Sequence, residues 1–331
     1  MNDNVSVLHS NPTAPELGHA LAATRSYTQA WQQGKFKSMP VIHESLERHM
    51  KLFINCGEQM ARHAQRLVAE ISSDPLRDIL DALGGGDDDD LMGIADELLD
   101  TVKSLLEAQL SHLGKEQHAL GALPAPAWAS DEQRLLKQQQ DLARLQVQLS
   151  EEHAREDQKK TAVEQAIATL EANGLQTRFE GVVPSLSDLS KLAAPGGEAL
   201  VTAELVSKAV QQLQTLLGDV IEGMRYEQLH RERRLQRERV RALELQLQDI
   251  TRGQATAQGN LAALALMPGL LEHRLGWVSA INVVRQALAN FATRLGRHSA
   301  RDAGEVRAMD ALFKQLLSYQ RQLLEQHRLS Q

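Results

Sequence analysis

Two stretches of this chain, about Ala129 to Asn173 and about Leu205 to Thr251, are patterned as long helices, and they constrain the fold more than anything else in the sequence. The first carries Leu135, Leu142 and Leu149 at seven-residue spacing, then Val163, Ile167 and Leu170. The second carries Val206, Val210, Leu213, Leu217, Val220 and Met224, and later Leu243, Leu247 and Ile250. At 1.5 Å of rise per residue each helix reaches roughly 65–70 Å. Between them lies Gly174 to Glu204, a segment of different character holding Pro184 and Pro195-Gly196-Gly197. The pattern predicts an antiparallel coiled-coil hairpin, or neck, with an interrupted tip. Both seams are broken by charge, at Glu151 to Lys160 and at Arg225 to Arg241, and such gaps hold two helices less firmly than a continuous apolar stripe.

The rest of the chain supplies further helices. Thr13-Ala14-Pro15-Glu16 reads as a capping box with proline just inside a first helix, and Gly34 ends it. Pro40 opens a long helix whose stripe Ile42, Leu46, Met50, Phe53, Gly57, Met60, Ala64, Leu67, Ile71 alternates threes and fours. Asp74-Pro75 resembles an N-cap and first-turn proline for a short helix, and Gly84-Gly85-Gly86 stops it. A broad apolar face from Leu91 to Leu113 follows, and Ser130-Asp131-Glu132-Gln133 is a second capping box. Leu261 to Leu295, bent near Pro268-Gly269, and a last stripe from Met309 to Leu324 close the chain. The expected fold is all-α, an elongated bundle of about five helices extended by the hairpin. Its segments are 1–128 and 253–331 for the bundle, 129–173 and 205–252 for the neck helices, and 174–204 for the tip.

Composition agrees. Only 3% of the 331 residues are aromatic, so the core must come from aliphatic side chains, which suits packed helices. A formal net charge of −7 argues against a general nucleic-acid binder. Cys56, the only cysteine, permits neither an intrachain disulfide nor a thiolate metal site. The start, Met1-Asn2-Asp3-Asn4-Val5, shows no basic stretch followed by an apolar run, so no Sec-type signal peptide is expected. No span has the roughly 20 strongly apolar residues of a membrane-crossing helix, and the folded protein is expected to be soluble.

A search for chemistry points away from an enzyme. There is no phosphate-binding glycine loop, no nucleophile elbow and no His-Glu-x-x-His. Glu16…His19 and Glu227…His230 have the spacing of di-iron ligands, but the first glutamate suits capping and His230 sits in an arginine-rich exposed stretch. Asp87 to Asp90 lacks the spacing of a calcium loop and suits a helix N-terminus, where carboxylates are favoured. The arginines from Arg225 to Arg241 are interleaved with Glu227, Glu232 and Glu238, as on a solvated helix. No metal, cofactor or catalytic residue is expected.

The tip stands apart. Phe179, Val182, Val183, Leu186, Leu189, Leu192, Leu200, Val201 and Leu205 gather where a hairpin is most exposed. Either they form a small private core, or that core opens and lays an apolar face on a bilayer or a partner helix. Gly181, Pro184, Pro195, Gly196 and Gly197 are the candidate hinges there, with Gly57, Gly253 and Gly259 elsewhere. On the second reading, aspartate at Val183 and Leu189 is expected to leave the fold and solubility intact and to abolish the contact with bilayer or partner.

The layout resembles the B component of alpha-xenorhabdolysin-type binary cytotoxins, which are bacterial α-helical pore formers. The resemblance rests on a short first helix, Ser38-Met39-Pro40-Val41-Ile42 opening a long one, the two-helix neck with its tip around Val182 to Val201, and closing helices to Gln331. It implies a subunit that assembles with an A-type partner into a ring, enters a target-cell lipid membrane by its tip, and leaves its producer by a non-Sec route. The alternative is a cytoplasmic coiled-coil scaffold that binds partner helices through the same seams.

Overall fold

The computed structural model of the chain describes residues 15–83, 88–125, 127–192, 197–218 and 223–328, with the side chains of 175 and 190–203 outside that description. Its helices are α1 (Gly18–Gln32), α2 (Pro40–Ile71), α3 (Pro75–Ala82), α4 (Asp88–Ala122), α5 (Ala129–Ala172), α6 (Leu175–Arg178), α7 (Leu186–Leu192), α8 (Gly197–Leu217), α9 (Tyr226–Leu264), α10 (Met267–Leu295) and α11 (Ala303–Arg328). Among the described residues, β pairing amounts to one antiparallel bridge, Val182 to Arg225. The all-α expectation holds. The chain divides into two units, Met1–Glu132 with Asn260–Gln331, and Gln133–Gly259.

The first unit is built on α2 and α10. Pro40 opens α2 as the pattern predicts, and Ile42, Leu46, Phe53, Met60, Ala64, Leu67 and Ile71 are all buried. α2 packs against α1, α4 and α11, while α10 packs against α1, α4 and α11 from its own side. Phe53 lies at their meeting point, 5.0 Å from the Trp277 ring and edge-on to Tyr27 at 5.1 Å. Fully burying a side chain of this size is worth roughly 1.5–3 kcal/mol, so such a node anchors several helices at once. Two polar devices set the register. Gln109 of α4 and Gln320 of α11, both fully buried, exchange amide hydrogen bonds of 2.9 and 3.4 Å. Arg274 of α10 donates from Nη2 to the carbonyls of Leu120 and Leu123, where the end of α4 leaves acceptors unpaired.

Three start signals work differently from their sequence reading. Thr13 and Ala14 lie outside the described residues, and α1 begins only at Gly18, where the Leu17 carbonyl accepts the Leu21 amide. Asp74 makes no cap bond to α3. Its φ of 56° places it in the left-handed region, which the tight turn out of α2 requires and Asp tolerates better than most residues, and its carboxylate sits 3.4 Å from Lys314. Ser130 lies inside the first turn of α5, because the Trp128 carbonyl already accepts the Glu132 amide. Asp88, Asp89 and Asp90 do occupy the first turn of α4, where the helix dipole favours them.

In the second unit α5 and α9 run antiparallel. Partners descend α5 as they ascend α9: Glu171 with His230, Glu164 with Arg237, His153 with Glu244, Gln146 with Gln254, and Leu142 against Gly253. Leu135, Val163, Ala166, Ile167 and Leu170 are buried on α5, and Leu229, Val240, Leu243, Ile250 and Ala257 on α9. The charged interruption in the seam is laced by ion pairs, Lys159 with Glu156 at 2.7 Å and Arg239 with Glu156 at 4.0 Å among them. Partly exposed pairs of this kind contribute only about 0–1 kcal/mol each.

The second neck helix departs from its expected bounds of 205–252. α8 ends at Leu217 and α9 starts at Tyr226, with Gly218, Gly223, Met224 and Arg225 non-helical between them. Gly218 and Gly223 have φ of 87° and 83°, which ordinary residues avoid, so the heptad pattern running through this stretch is overridden by backbone geometry. Val220 lies outside the described residues. At its other end α9 continues past 252 to Leu264, with Gly253 and Gly259 inside it. A Cβ on Gly253 would stand 3.3 Å from Leu142, so this glycine lets two helices approach. Gly57 likewise sits inside α2 facing His327.

Candidate membrane-contacting tip

Five backbone positions with positive φ mark the joints of the tip. Gly174 (φ 65°) follows α5, Glu180 (49°) and Gly181 (78°) lead into the tip, and Gly218 and Gly223 lead out. Chain reversals of this sharpness require the left-handed region, and glycine supplies it without steric cost. Residues 181–183 then pair with 223–226. The Val183 amide donates to the Met224 carbonyl at 2.9 Å, the Tyr226 amide to the Gly181 carbonyl at 2.9 Å, and the Gly223 amide to the Val183 carbonyl at 3.4 Å. The incoming and outgoing chains are thereby laced together at the base of the tip.

Above that base Ser185 caps α7. The Asp188 amide donates to Ser185 Oγ at 3.1 Å, an N-cap bond that marks where the helix starts, and the Ser185 hydroxyl donates in turn to the Asp188 carboxylate at 2.7 Å. Its residue Leu189 turns into a closed core with Val183, with Val163, Ile167 and Leu170 of α5, with Val206, Val210 and Leu213 of α8, and with Tyr226 and Leu229 of α9. Phe179, Leu186, Leu217 and Met224 pack around it, partly buried. Tyr226 is 2% exposed and its hydroxyl has no partner among the described residues, so burial, reinforced by the Glu171 carboxylate, pushes its pKa up to about 12.

The sequence-predicted tip residues therefore sort by environment. Val183 and Leu189 are 1% and 2% exposed, Pro184 is buried, and Phe179, Val182 and Leu186 are partly covered. Leu205 is 55% exposed on the outer face of α8. The side chains of Leu192, Leu200 and Val201 lie outside the described residues, as do Pro195 and Gly196, and Gly197 is the first residue of α8. The private core is the arrangement the structure presents. One sequence expectation fails as a result: aspartate at Val183 or Leu189 would bury an unpaired charge, and the fold of the tip would not survive it. Sequence reading began the tip at Gly174 but missed Gly218 and Gly223 as joints, although Gly218 follows the helical run of α8 as a C-terminal glycine does.

The arrangement stores apolar surface. Among the described residues, no group of three or more His, Cys, Asp and Glu side chains gathers as a metal site would require. Glu16 and His19 are exposed, and His230 pairs with Glu171 at 3.3 Å. Nor is any helix among the described residues long and apolar enough to cross a membrane. α8 comes nearest in length: its 21 residues extend about 31 Å, close to the roughly 30 Å of a hydrocarbon core. Glu204 and Lys208, paired at 3.3 Å, give it a polar face.

The fold is that of the alpha-xenorhabdolysin B component. XaxB from Xenorhabdus nematophila superposes with a TM-score of 0.79, covering 96% of this chain and 99% of that one, at 14% identity. PaxB from Photorhabdus luminescens matches with a TM-score of 0.60 over 96% of this chain and 98% of its own, also at 14% identity. A chain of the XaxAB pore complex from Xenorhabdus nematophila matches at 0.52, over 96% and 99%, again at 14%. No family model matches the sequence, and no curated protein matches it by sequence. At such identity the likeness is one of fold.

Proposed function

We propose that this chain is the B-type subunit of a two-component α-pore-forming cytotoxin, which acts by opening its tip onto a target-cell membrane after meeting an A-type partner. The observation that carries this reading is the likeness to XaxB over nearly the whole of both chains. The closed tip supports the same reading. Its apolar core is bounded by glycine joints, so it can part from α5 without breaking a regular helix. In water, opening exposes side chains worth roughly 1.5–3 kcal/mol each, so the closed form persists until lipid or a partner offers a replacement surface. On a bilayer Phe179, Val182, Val183, Leu186, Leu189, Leu192, Leu200, Val201 and Leu205 turn to the acyl chains while the Glu204 and Lys208 side of α8 stays wet.

The assembled particle is then a hetero-oligomeric ring, soluble subunits reach the target by a route other than Sec, and no enzymatic step is involved. The test is dye release from liposomes by this protein together with the product of the neighbouring reading frame. Release only with both supports the reading, and a stable complex with host-cell proteins without release would replace it with the scaffold.

A further inference from the structure

α1 is fastened to α2 by two ring stacks in the first unit. Trp31 lies over His43 with centroids 5.8 Å apart and planes at 7°, and Tyr27 lies over His49 at 5.4 Å and 27°. The two imidazoles differ in surroundings. His43 is partly exposed, whereas His49 has no solvent exposure. Its Nδ1 is 2.7 Å from the Ser45 carbonyl, which a neutral ring with its proton on Nδ1 satisfies. Nε2 then has no partner among the described residues, and neither has the Tyr27 hydroxyl above it.

Every element around this ring withholds an anion. Among the described groups, α1 presents Tyr27, α2 itself presents Ser45 and Phe53, and α10 brings the Arg274 guanidinium. Arg274 is tied to the two α4 carbonyls and cannot turn aside freely. No carboxylate among the described residues comes within ion-pairing distance of His49. Protonating Nε2 would therefore create a donor without an acceptor and a cation beside a fixed cation. α1, which is 15 residues long, covers the ring through Tyr27, and the Gln326 side chain of α11 holds its start by bonding to the Leu17 amide and the Pro15 carbonyl.

We propose that His49 makes the α1–α2–α10 junction an acid-sensitive latch, in which a proton taken up at Nε2 releases α1 while the remaining helices of the unit stay packed. Burial holds the His49 pKa below its ordinary value of about 6.5, with the hydrogen bond to the Ser45 carbonyl opposing that shift and the smaller effect of Arg274 adding to it. A depressed histidine pKa means the closed form binds fewer protons than the open one. The advantage of the closed form is complete above the ordinary imidazole value and is lost progressively as pH falls below it. The latch operates whether or not the chain forms pores.

Hydrogen exchange on the full-length protein from pH 7.5 to 5.5, corrected for intrinsic rates, tests it. The α1 opening constant rises in wild type by up to about tenfold per pH unit, the limit for one proton, while α10 and α11 amides keep their protection. His49→Gln, which retains a donor for the Ser45 carbonyl but cannot ionise, is flat across this range, and His43→Gln responds as wild type does. An unchanged acid response in His49→Gln, a flat wild type, or acid opening of α1 and α10 together would overturn the latch. If His49→Gln fails to fold at neutral pH, imidazole NMR of the wild type decides. A ring that stays neutral until α1 opens supports the proposal, and one that protonates near its ordinary value with α1 still protected refutes it.

Discussion

Stapling the base of the tip with Val182→Cys and Arg225→Cys tests whether the tip must open. These residues face each other across the antiparallel bridge, and the flanking bonds, Val183 to Met224 and Tyr226 to Gly181, make them a non-hydrogen-bonded pair. Such pairs bring their Cα atoms to about 4.5 Å, inside the range of roughly 4.4–6.8 Å that a disulfide spans. The native thiol does not compete, because Cys56 is buried and its pKa is pushed up to about 12. The new bond closes a loop of about 44 residues, and chain entropy values that closure at about 4 kcal/mol. Any state in which the two strands separate becomes less populated by roughly a thousandfold. The account requires that separation, since Val183 belongs both to the bridge segment and to the core that must open. Dye release with the partner subunit is measured for the oxidised double variant and after reduction, with each single variant as control. Oxidation is expected to abolish release and reduction to restore it. Wild-type release from protein whose disulfide is verified by mass would refute the reasoning, because the tip would then insert with its base intact.

Three further outcomes follow from the packing. Leu205→Asp, at an exposed site, should change stability by no more than about 0.5 kcal/mol yet eliminate release, whereas Val183→Asp should unfold the tip before any membrane is met; circular dichroism and liposome assays separate the two. Gln109→Leu leaves the Gln320 amide buried and unpaired, at a cost of about 1–3 kcal/mol in denaturant unfolding, and the double change Gln109→Leu with Gln320→Leu should recover most of it. Gly223→Ala forces a side chain into a left-handed position at φ 83° and should cost about 1–2 kcal/mol, seen as faster exchange of the 181–183 amides.

Much of the architecture was legible because apolar periodicity reports directly on which face of a helix is buried. The stripe of α2 from Ile42 to Ile71 and the first neck helix from Ala129 were readable for that reason. The break after Leu217 was not, since Val206 to Met224 keeps a plausible heptad while Gly218 and Gly223 turn the backbone out of helix. Capping residues misled where a backbone carbonyl took over the task, as that of Trp128 does near Ser130, and where the carboxylate went to an ion pair instead, as at Asp74. At the tip the apolar residues could be named, but their orientation could not. Val183 and Leu189 face inward because Val163 to Leu170 and Val206 to Leu213 supply a surface to receive them, and that surface lies far away in sequence. The ring stacks that hold α1 on α2 carry no local signal at all, because histidine and aromatic residues pair there only through the tertiary fold.

The central claim is that this chain forms a pore only with a second subunit. Dye release from liposomes of neutral and anionic lipid, by this protein alone, by the neighbouring gene product alone and by the two together, tests it most directly. The account predicts release only from the mixture, with loss of release on stapling the tip. Intact liposomes under all three conditions, or equal release by this protein without its partner, would contradict it.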